Sequence, residues 1–227
     1  GIKRALSTGD FAVKMPNTSK VGVAQVLNRL TYTSTLSHLR RINTPIEKTG
    51  KLIAPRKLHN TCWGYICPAE TPEGASVGIV KNISYMCHIT ISSDTTIITD
   101  IINPHITKLD QTDDNIMYKQ YKVFVNGSWV GIVKNPNTLY RILKDNKFKG
   151  VINIYTSIVL DTNNREIRVC NDAGRMVRPC LRVKNNQLVL NGDIIELVKQ
   201  KQLSWDDLCI KRTGCDSVIE YIDPEEQ

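Results

Sequence analysis

The chain has 227 residues, of which 41% are hydrophobic and 23% are charged, and its formal net charge is +8. This composition is that of an ordinary globular protein, long enough to bury a core as one large domain or two small ones. No apolar run reaches the length of a membrane span and no signal peptide opens the sequence, so a reducing compartment without a membrane span is expected.

The net positive charge is confined to the first part of the chain. Residues 1–82 contain 12 Lys and Arg against 4 Asp and Glu, whereas residues 83–227 contain 18 of each kind. A concentrated positive field attracts polyanions, nucleic acid first among them. A basic face that is merely solvated is the alternative interpretation.

Helix and loop are predicted for the N-terminal part. Residues 15–20 form a turn-prone loop, and a helix is predicted from Gly22. Gln25 and Arg29 would share the polar side of that helix, and the threonine-rich residues 31–35 are predicted to bend or break it. The buried face would be formed by Val23, Val26, Leu27 and Leu30.

A second loop is predicted at residues 43–51, and a proline-rich segment, CPAETPEG, follows at residues 67–74. Two prolines four residues apart forbid a regular helix through this segment. It is therefore predicted to be a rigid loop that holds two carboxylates, Glu70 and Glu73. The alternative is a capped turn in which Thr71 satisfies loose backbone donors.

The rest of the chain is predicted to be mainly β. Residues 96–102 are predicted to form a short strand, and the acidic pair Asp113 and Asp114 is expected to be solvated. The strongest local signal is Asn126-Gly127, which predicts a tight hairpin. Further strands are expected at residues 121–125, 129–133, 151–160, 166–169 and 176–183, and a further hairpin is expected near residues 188–192. Helices are predicted after Pro136, at residues 193–202 and at residues 205–209, where Ser204 would be the N-cap.

Metal and nucleophile motifs are missing from the sequence. Seven cysteines is an odd number, and none of them forms a CxxC pair with a partner at zinc-site spacing, so most are expected to be small buried residues. The four histidines are scattered, and no phosphate-binding Gly-rich loop or nucleophile elbow occurs. No catalytic residue and no metal ligand is therefore assigned to this chain.

Several long stretches in a fixed order resemble one protein family. They are GVAQVLNR at residues 22–29, SHLRR at 37–41, LHNTCWGYICPAETPEGASVGIVKN at 58–82, VFVNG at 123–127, DAGR at 172–175 and EYID at 220–223. These motifs resemble those of the second-largest, beta-like subunit of multisubunit DNA-dependent RNA polymerases. The resemblance is to the eukaryotic, archaeal and large-DNA-virus type. The resemblance covers nearly the whole chain and thins at about residues 90–118 and 184–215.

The resemblance implies a mixed α+β fold, excised from a much longer subunit. A helical and loop-rich fork region would be followed by β-rich external domains. The expected boundaries are 1–90 for the fork, 91–118 for a connection, 119–183 for the first external domain and 184–227 for the start of the second.

The resemblance also implies roles for individual residues. The loops at residues 15–20 and 45–51 correspond to the two fork loops, and the SHLRR motif has a bacterial counterpart that lines the rifamycin pocket beside the nascent RNA. Glu73 is expected to position groups near the transcript end, and Glu70 to hold its loop together. The residues expected to contact nucleic acid are Gln25, Arg29, His38, Arg40, Arg41, Lys51, Arg56 and Lys57. Of the pair Arg40 and Arg41, one is expected to touch nucleic acid and the other to be a structural salt-bridge partner, and the sequence does not distinguish them.

The chain would thus be one part of a nucleotidyltransferase. The catalytic Mg²⁺ would be held mainly by the largest subunit, and the partners would be that subunit, the other polymerase subunits, template DNA and nascent RNA, with no membrane. The expected location is inside the cell: the nucleus, or the cytoplasm or virion of a large DNA virus. The alternative function is a non-catalytic module for single-stranded nucleic acid, which the few aromatic residues of the basic part disfavour.

Overall fold

The fold is mixed α+β, as predicted, and the computed structural model describes residues 1–11, 24–44, 46, 52–111, 117, 119–211 and 216–227. Contacts divide these residues into two compact units. Unit 1 is Gly1–Leu58 with Cys67–Ile83, and unit 2 is His59–Ile66 with Ser84–Gln227. The loop at residues 15–20, nearly all of the loop at 45–51, and the pair Asp113 and Asp114 lie outside the described residues. The four domain boundaries given above stay predictions.

Unit 1 contains short elements. Its helices are α1 (Ile2–Thr8) and α2 (Tyr32–Leu39), and its strands are β1 (Arg41–Asn43) and β2 (Val80–Asn82), which pair antiparallel. Two 3₁₀ turns, Ala54–Arg56 and Gly74–Ser76, complete it. Neither helix buries a side chain completely, and within the described residues both hydrophobic clusters belong to unit 2. Within the described residues, the buried hydrophobic side chains of unit 1 are Ile79 and Val80, at the start of β2.

The helix predicted from Gly22 is wrong for the residues that can be compared. Residues 24–30 are not helical, and Val26, predicted to be buried, is 93% exposed. The helix instead begins after Thr31, where a break was predicted. Thr31 accepts a hydrogen bond from the backbone N–H of Ser34, and the Ser34 hydroxyl accepts one from the backbone N–H of Thr31. This capping box starts α2 because it satisfies donors that a helix N-terminus otherwise leaves unpaired.

The larger sheet of unit 2 has five strands in the order β4-β6-β5-β8-β7. Neighbouring strands are antiparallel except for β5 and β8. Helices α3 (Thr96–Ile102) and α4 (Pro136–Phe148) contribute to its core, with Ile98, Ile102, Leu139 and Leu143 nearly inaccessible. The strands are Thr107–Lys108 (β4), Tyr121–Val125 (β5), Ser128–Val133 (β6), Ser157–Asp161 (β7) and Glu166–Cys170 (β8).

The smaller sheet of unit 2 has the order β12-β9-β3 and is antiparallel. Helices α5 (Gly192–Lys199) and α6 (Trp205–Cys209) pack with it around a second cluster that includes Val177 and Tyr221. The strands are His88–Ile89 (β3), Met176–Leu181 (β9) and Ile219–Ile222 (β12), and a separate hairpin joins Val183–Lys184 (β10) to Gln187–Leu188 (β11).

Three predictions for unit 2 are wrong, wholly or in part. The strand expected at residues 151–160 begins only at Ser157, and residues 151–156 are not in a strand. Thr96–Ile102 is a helix, not a strand, because Ile98 and Ile102 lie one helical turn apart and are both buried. The Asn191-Gly192 pair is not a hairpin turn, since the Asn191 side chain caps helix α5 by accepting from the N–H of Ile194. The hairpin at Asn126-Gly127 and the N-cap at Ser204 are confirmed.

A buried ion cluster ties the end of the chain to helix α4. Lys144 contacts Glu220 at 2.5 Å and Glu226 at 2.8 Å, and Lys147 donates to the carbonyl of Tyr221 at 2.9 Å. Burial lowers the pKa of Lys147, and its carboxylate neighbours offset only part of that effect. Burial acts the same way on Lys144, but Glu226 and Glu220 outweigh it and raise the pKa of Lys144. Lys147 is the more deeply buried of the two lysines, and the positive charge of Lys144 lowers the pKa of Lys147 further. Lys144 also has the shorter contacts with the two carboxylates.

The cysteines follow the prediction only in part. All six cysteines within the described residues are free thiols. Cys87 and Cys209 are buried, whereas the other four are half-buried. Burial raises the pKa of Cys209 to about 11, which keeps that thiol protonated at neutral pH.

Candidate nucleic-acid interface

Unit 1 contains an open cavity of about 500 Å³ that collects four of the predicted site residues. Helix α2 supplies His38, strand β1 supplies Arg41, the non-helical segment before α2 supplies Gln25, and the proline-rich loop supplies Glu73. The full lining is Gln25, Leu27, His38, Leu39, Arg41, Asn43, Pro72, Glu73, Ser76 and Val80. Residues from four separate segments thus meet at one surface.

Two hydrogen bonds of the His38 ring define one side of the cavity. The backbone N–H of Asn28 donates to His38 Nδ1 at 3.1 Å. His38 Nε2 and the Gln25 side-chain oxygen lie 2.8 Å apart. Gln25 and His38, predicted separately from the sequence, are therefore direct partners.

The proline-rich loop is anchored through Glu70. The Ser37 hydroxyl of helix α2 donates to the Glu70 carboxylate, and the buried Asn82 amide donates to the Glu70 carbonyl at 3.1 Å. Thr71 has the capping role of the alternative interpretation, because its hydroxyl accepts from the N–H of Gly78 at 2.9 Å and donates to the Val80 carbonyl at 3.0 Å. These bonds fix the loop that contributes Pro72 and Glu73 to the cavity lining.

The Arg56 guanidinium donates hydrogen bonds to backbone carbonyls of its own chain. Its Nη1 donates to the carbonyls of Ala75 at 2.7 Å and Val77 at 3.0 Å, and its Nε donates to the carbonyl of Leu52 at 3.1 Å. The close approach needs Gly78, whose φ is +71° and where a Cβ would lie 2.3 Å from the Arg56 carbonyl oxygen. The structure thus gives Arg56 a bracing role, and its contact with nucleic acid stays a prediction.

The remaining predicted residues lie apart from the cavity lining. Arg29 and Lys57 are exposed, and Arg40 is half-buried at the end of α2, where its backbone N–H donates to Leu36 and Ser37. Glu70 is exposed but is taken up by Ser37, and Lys51 lies outside the described residues. Four of the ten predicted site residues therefore line the cavity: Gln25, His38, Arg41 and Glu73.

Sequence reasoning missed Asn28, Ser37 and Asn82. Asn28 anchors His38 through its main chain, which no side-chain motif can reveal. Ser37 and Glu70 are 33 residues apart in the chain, and they meet only because β1 and β2 pair. Asn82 is buried in the structure, where its amide must find hydrogen-bond partners, but the sequence does not display that burial.

The cavity can bind a group that has both acceptors and donors. Arg41 is exposed and offers the planar, charged fork that suits a phosphate. Glu73 is exposed on the same cavity and accepts hydrogen bonds from hydroxyl groups. Neighbouring phosphates and hydroxyls occur together on a sugar–phosphate backbone.

Neither a cluster of metal-ligating side chains nor a membrane-spanning helix is found within the described residues. They contain no group of three or more His, Cys, Asp or Glu side chains that could hold a metal ion. None of the described helices has both the length and the apolar character of a membrane span.

Comparison with known sequences decides the family. Residues 25–89 match the family described as RNA polymerase Rpb2, domain 3, and residues 123–184 match RNA polymerase Rpb2, domain 4. The chain belongs to the second-largest subunits of multisubunit RNA polymerases. All lining residues of the cavity lie in the stretch that matches domain 3 of this family.

Individual polymerase subunits match this chain over its whole length. The chain is 44% identical to DNA-directed RNA polymerase II subunit RPB2 of Encephalitozoon cuniculi. It is 39% identical to DNA-directed RNA polymerase II subunit 2 of Arabidopsis thaliana and 35% identical to DNA-directed RNA polymerase subunit 2 of Acanthamoeba polyphaga mimivirus. Each match covers 100% of the chain and 18–20% of the relative, so the chain spans about a fifth of the length of these subunits.

Proposed function

We propose that this chain works as part of a DNA-directed RNA polymerase and that unit 1 forms the fork. The fork supports the RNA–DNA hybrid and the separation of the downstream DNA strands during transcription. The observation that carries the proposal is the cavity that brings Gln25, His38, Arg41 and Glu73 together within the domain 3 match. The basic charge of residues 1–82 supports the same role, because it favours a polyanionic partner.

Contact with the sugar–phosphate backbone is the chemistry that these residues suit. Arg41 would bind a phosphate, and such a contact adds affinity and register without reading the base sequence. A polymerase must hold hybrids of every sequence, so backbone contacts meet its requirement. Glu73 would act by charge, positioning cationic groups and hydroxyls near the transcript end.

The proposed partners are the largest subunit, the other polymerase subunits, template DNA and nascent RNA. Unit 1 exposes large apolar side chains, among them Val26, Leu30 and Ile53, which favours packing against other parts of an assembly. Nucleotidyl transfer uses metal ions that clamp the attacking and leaving oxygens. We assign the Mg²⁺ to the largest subunit, because the described residues here offer no cluster of ligands, and no reaction step is derived from this chain.

Arg41→Ala tests the proposal in a polymerase assembled with the full-length subunit. The lifetime of stalled elongation complexes would be measured at rising salt concentration. Each phosphate neutralised contributes about −0.7 to −0.9 to the slope of log K against log salt, so loss of one contact should reduce the slope by about one contact's share. We expect shorter lifetimes at every salt concentration and a shallower salt dependence.

Arg141→Ala is the matched control. Arg141 is also an exposed arginine, but it lies on helix α4 of unit 2, in the part of the chain without net charge. It should leave both the lifetime and the salt slope unchanged. Equal effects of the two substitutions, or no effect of Arg41→Ala, would contradict the assignment of the cavity to nucleic acid.

A further inference from the structure

The tautomer of His38 follows from a backbone hydrogen bond. The N–H of Asn28 lies 3.1 Å from His38 Nδ1, and a backbone N–H can only donate. Nδ1 must therefore accept, which requires that it carries no proton. The proton of the neutral ring then lies on Nε2.

This tautomer determines how the Gln25 amide is turned. His38 Nε2–H is a donor, so the Gln25 atom 2.8 Å away must be an acceptor, the amide oxygen. Amide oxygen and nitrogen are usually hard to tell apart. Here the Asn28 N–H can only donate, so it fixes the roles of both His38 nitrogens and, through Nε2–H, identifies the Gln25 oxygen. What Gln25 can offer to a ligand is therefore its NH₂ group.

Asn28 is fixed relative to His38 by three further hydrogen bonds. Its side-chain oxygen accepts from the N–H of Leu30 at 3.0 Å and from the Ser34 hydroxyl at 3.2 Å. Its carbonyl accepts from the Thr35 hydroxyl at 2.7 Å. Ser34 and Thr35 belong to α2, the helix that carries His38, so the donor and the ring are held on one local scaffold.

We propose that His38 and Asn28 are positioning residues that aim the Gln25 NH₂ at acceptor oxygens of a nucleic-acid backbone. The proposal rests on the function proposed above. Both ring nitrogens of His38 are engaged within the chain, so His38 acts through Gln25 rather than as a nucleic-acid contact itself. An amide has two N–H bonds, so Gln25 can keep a contact within the chain and still donate to a ligand.

The ligand class follows from the groups that share the cavity with Gln25. An amide NH₂ and the Arg41 guanidinium are both donors, so the complementary atoms are phosphate or sugar oxygens. Base edges carry acceptors as well, but the charged Arg41 beside Gln25 favours the anionic oxygens of a phosphate as the partners of these two donors. Gln25 would therefore contribute to retention of the hybrid without preference for base sequence.

The tautomer can be measured on the 227-residue chain without any nucleic acid. The chain has four histidines, so nitrogen-15 labelling of histidine alone gives a simple NMR spectrum, in which His38→Asn assigns the His38 signals. We expect a neutral ring with a proton on Nε2 and none on Nδ1. A proton on Nδ1 of the neutral ring would overturn the proposal whatever the polymerase assays show.

The functional part uses isosteric variants in polymerase assembled with the full-length subunit. Gln25→Glu keeps an oxygen for His38 but removes the NH₂, and should shorten the lifetime of stalled elongation complexes by about tenfold or more. His38→Gln keeps a polar group near the position of Nε2, whereas His38→Asn keeps only the acceptor near Nδ1. His38→Gln should therefore retain more of the parent lifetime than His38→Asn.

A double variant separates positioning from a merely structural role. If His38 acts through Gln25, His38→Asn should add little to the effect of Gln25→Glu, because both remove the same contact. Fully additive effects, or a better result for His38→Asn than for His38→Gln, would overturn the positioning role. If Arg41→Ala shortens the lifetime while Gln25→Glu does not, this proposal fails and the proposed function stands. If neither variant changes the lifetime, the proposed function fails, and the nucleic-acid ligand assigned to Gln25 fails with it.

Discussion

Gly78→Ala should loosen the bracing of the cavity rim, because Gly78 lies directly against the Arg56 backbone. An added Cβ would lie 2.3 Å from the Arg56 carbonyl oxygen and 2.6 Å from its Cα. Both atoms are backbone atoms and cannot move aside as a side chain does. The Arg56 segment would have to shift away from the carbonyls of Ala75 and Val77, which its guanidinium now holds.

The magnitude can be separated into two contributions with a second glycine as the control. Gly78 and Gly74 both have positive φ, +71° and +78°, so an alanine at either position costs roughly 1–2 kcal/mol of backbone strain. Nothing lies within 4 Å of a Cβ added at Gly74. The overlap is therefore specific to Gly78 and should add about 1–3 kcal/mol, the usual cost of overpacking.

Hydrogen exchange on the 227-residue chain measures this difference. The amides of Arg56 and Lys57 donate to Ile53 and Ala54 in the 3₁₀ turn that carries the bracing arginine. An extra 1–3 kcal/mol corresponds to roughly 5-fold to 150-fold faster exchange through local opening, since 1.4 kcal/mol is a factor of ten. Equal exchange of these two amides in Gly78→Ala and Gly74→Ala would refute the account of how the rim is braced.

Three further outcomes are expected. Leu143→Ala should lower the free energy of unfolding of unit 2 by about 2–5 kcal/mol in a denaturant titration, because Leu143 is fully buried in the larger cluster. A loss no larger than that caused by a surface substitution would contradict the packing of that cluster. Burial alone would raise the pKa of Glu220, but Lys147 and Lys144 outweigh it and lower that pKa below the ordinary 4.5. The stability that Glu220 contributes is therefore complete above pH 4.5 and is lost as the pH falls through the lowered pKa. Glu220→Gln should flatten acid denaturation below pH 4.5, and an unchanged acid limb would contradict the ion cluster. Limited proteolysis should remove residues 1–58 before residues 120–227, since both described hydrophobic clusters lie in unit 2; the reverse order would contradict the division.

Local chemistry made some elements predictable from the sequence. Asn126 and Gly127 adopt φ of 48° and 81°, the left-handed values that a two-residue hairpin needs and that these residue types tolerate. Ser204 and Asp207 form a capping box within four residues, which the sequence displays directly. In both cases the deciding interaction lies inside a short stretch, so no knowledge of the fold was required.

Long-range contacts decided what the sequence could not show. The apolar spacing of Val26 and Leu30 is that of a buried helix face, yet these side chains are 93% and 86% exposed. Periodicity predicts burial only when a partner is present to cover the face. Arg56 illustrates the same limit, because its carbonyl partners depend on the close approach of Gly78 from another segment. The family resemblance predicted a set of site residues. Only the structure showed that Gln25 and Arg41 line the cavity, whereas the Arg56 guanidinium binds backbone carbonyls of the chain.

Site-specific crosslinking in a stalled elongation complex tests the central claim most directly. Leu39 lines the cavity and is 67% exposed, so a photoreactive residue there leaves Gln25, Arg41 and Glu73 intact. The control position is Leu188, which is 56% exposed on the β10–β11 hairpin of unit 2. If unit 1 faces the RNA–DNA hybrid, position 39 should crosslink to RNA or DNA and position 188 should not. Crosslinks from position 39 to protein alone, in complexes that still extend RNA, would contradict the account.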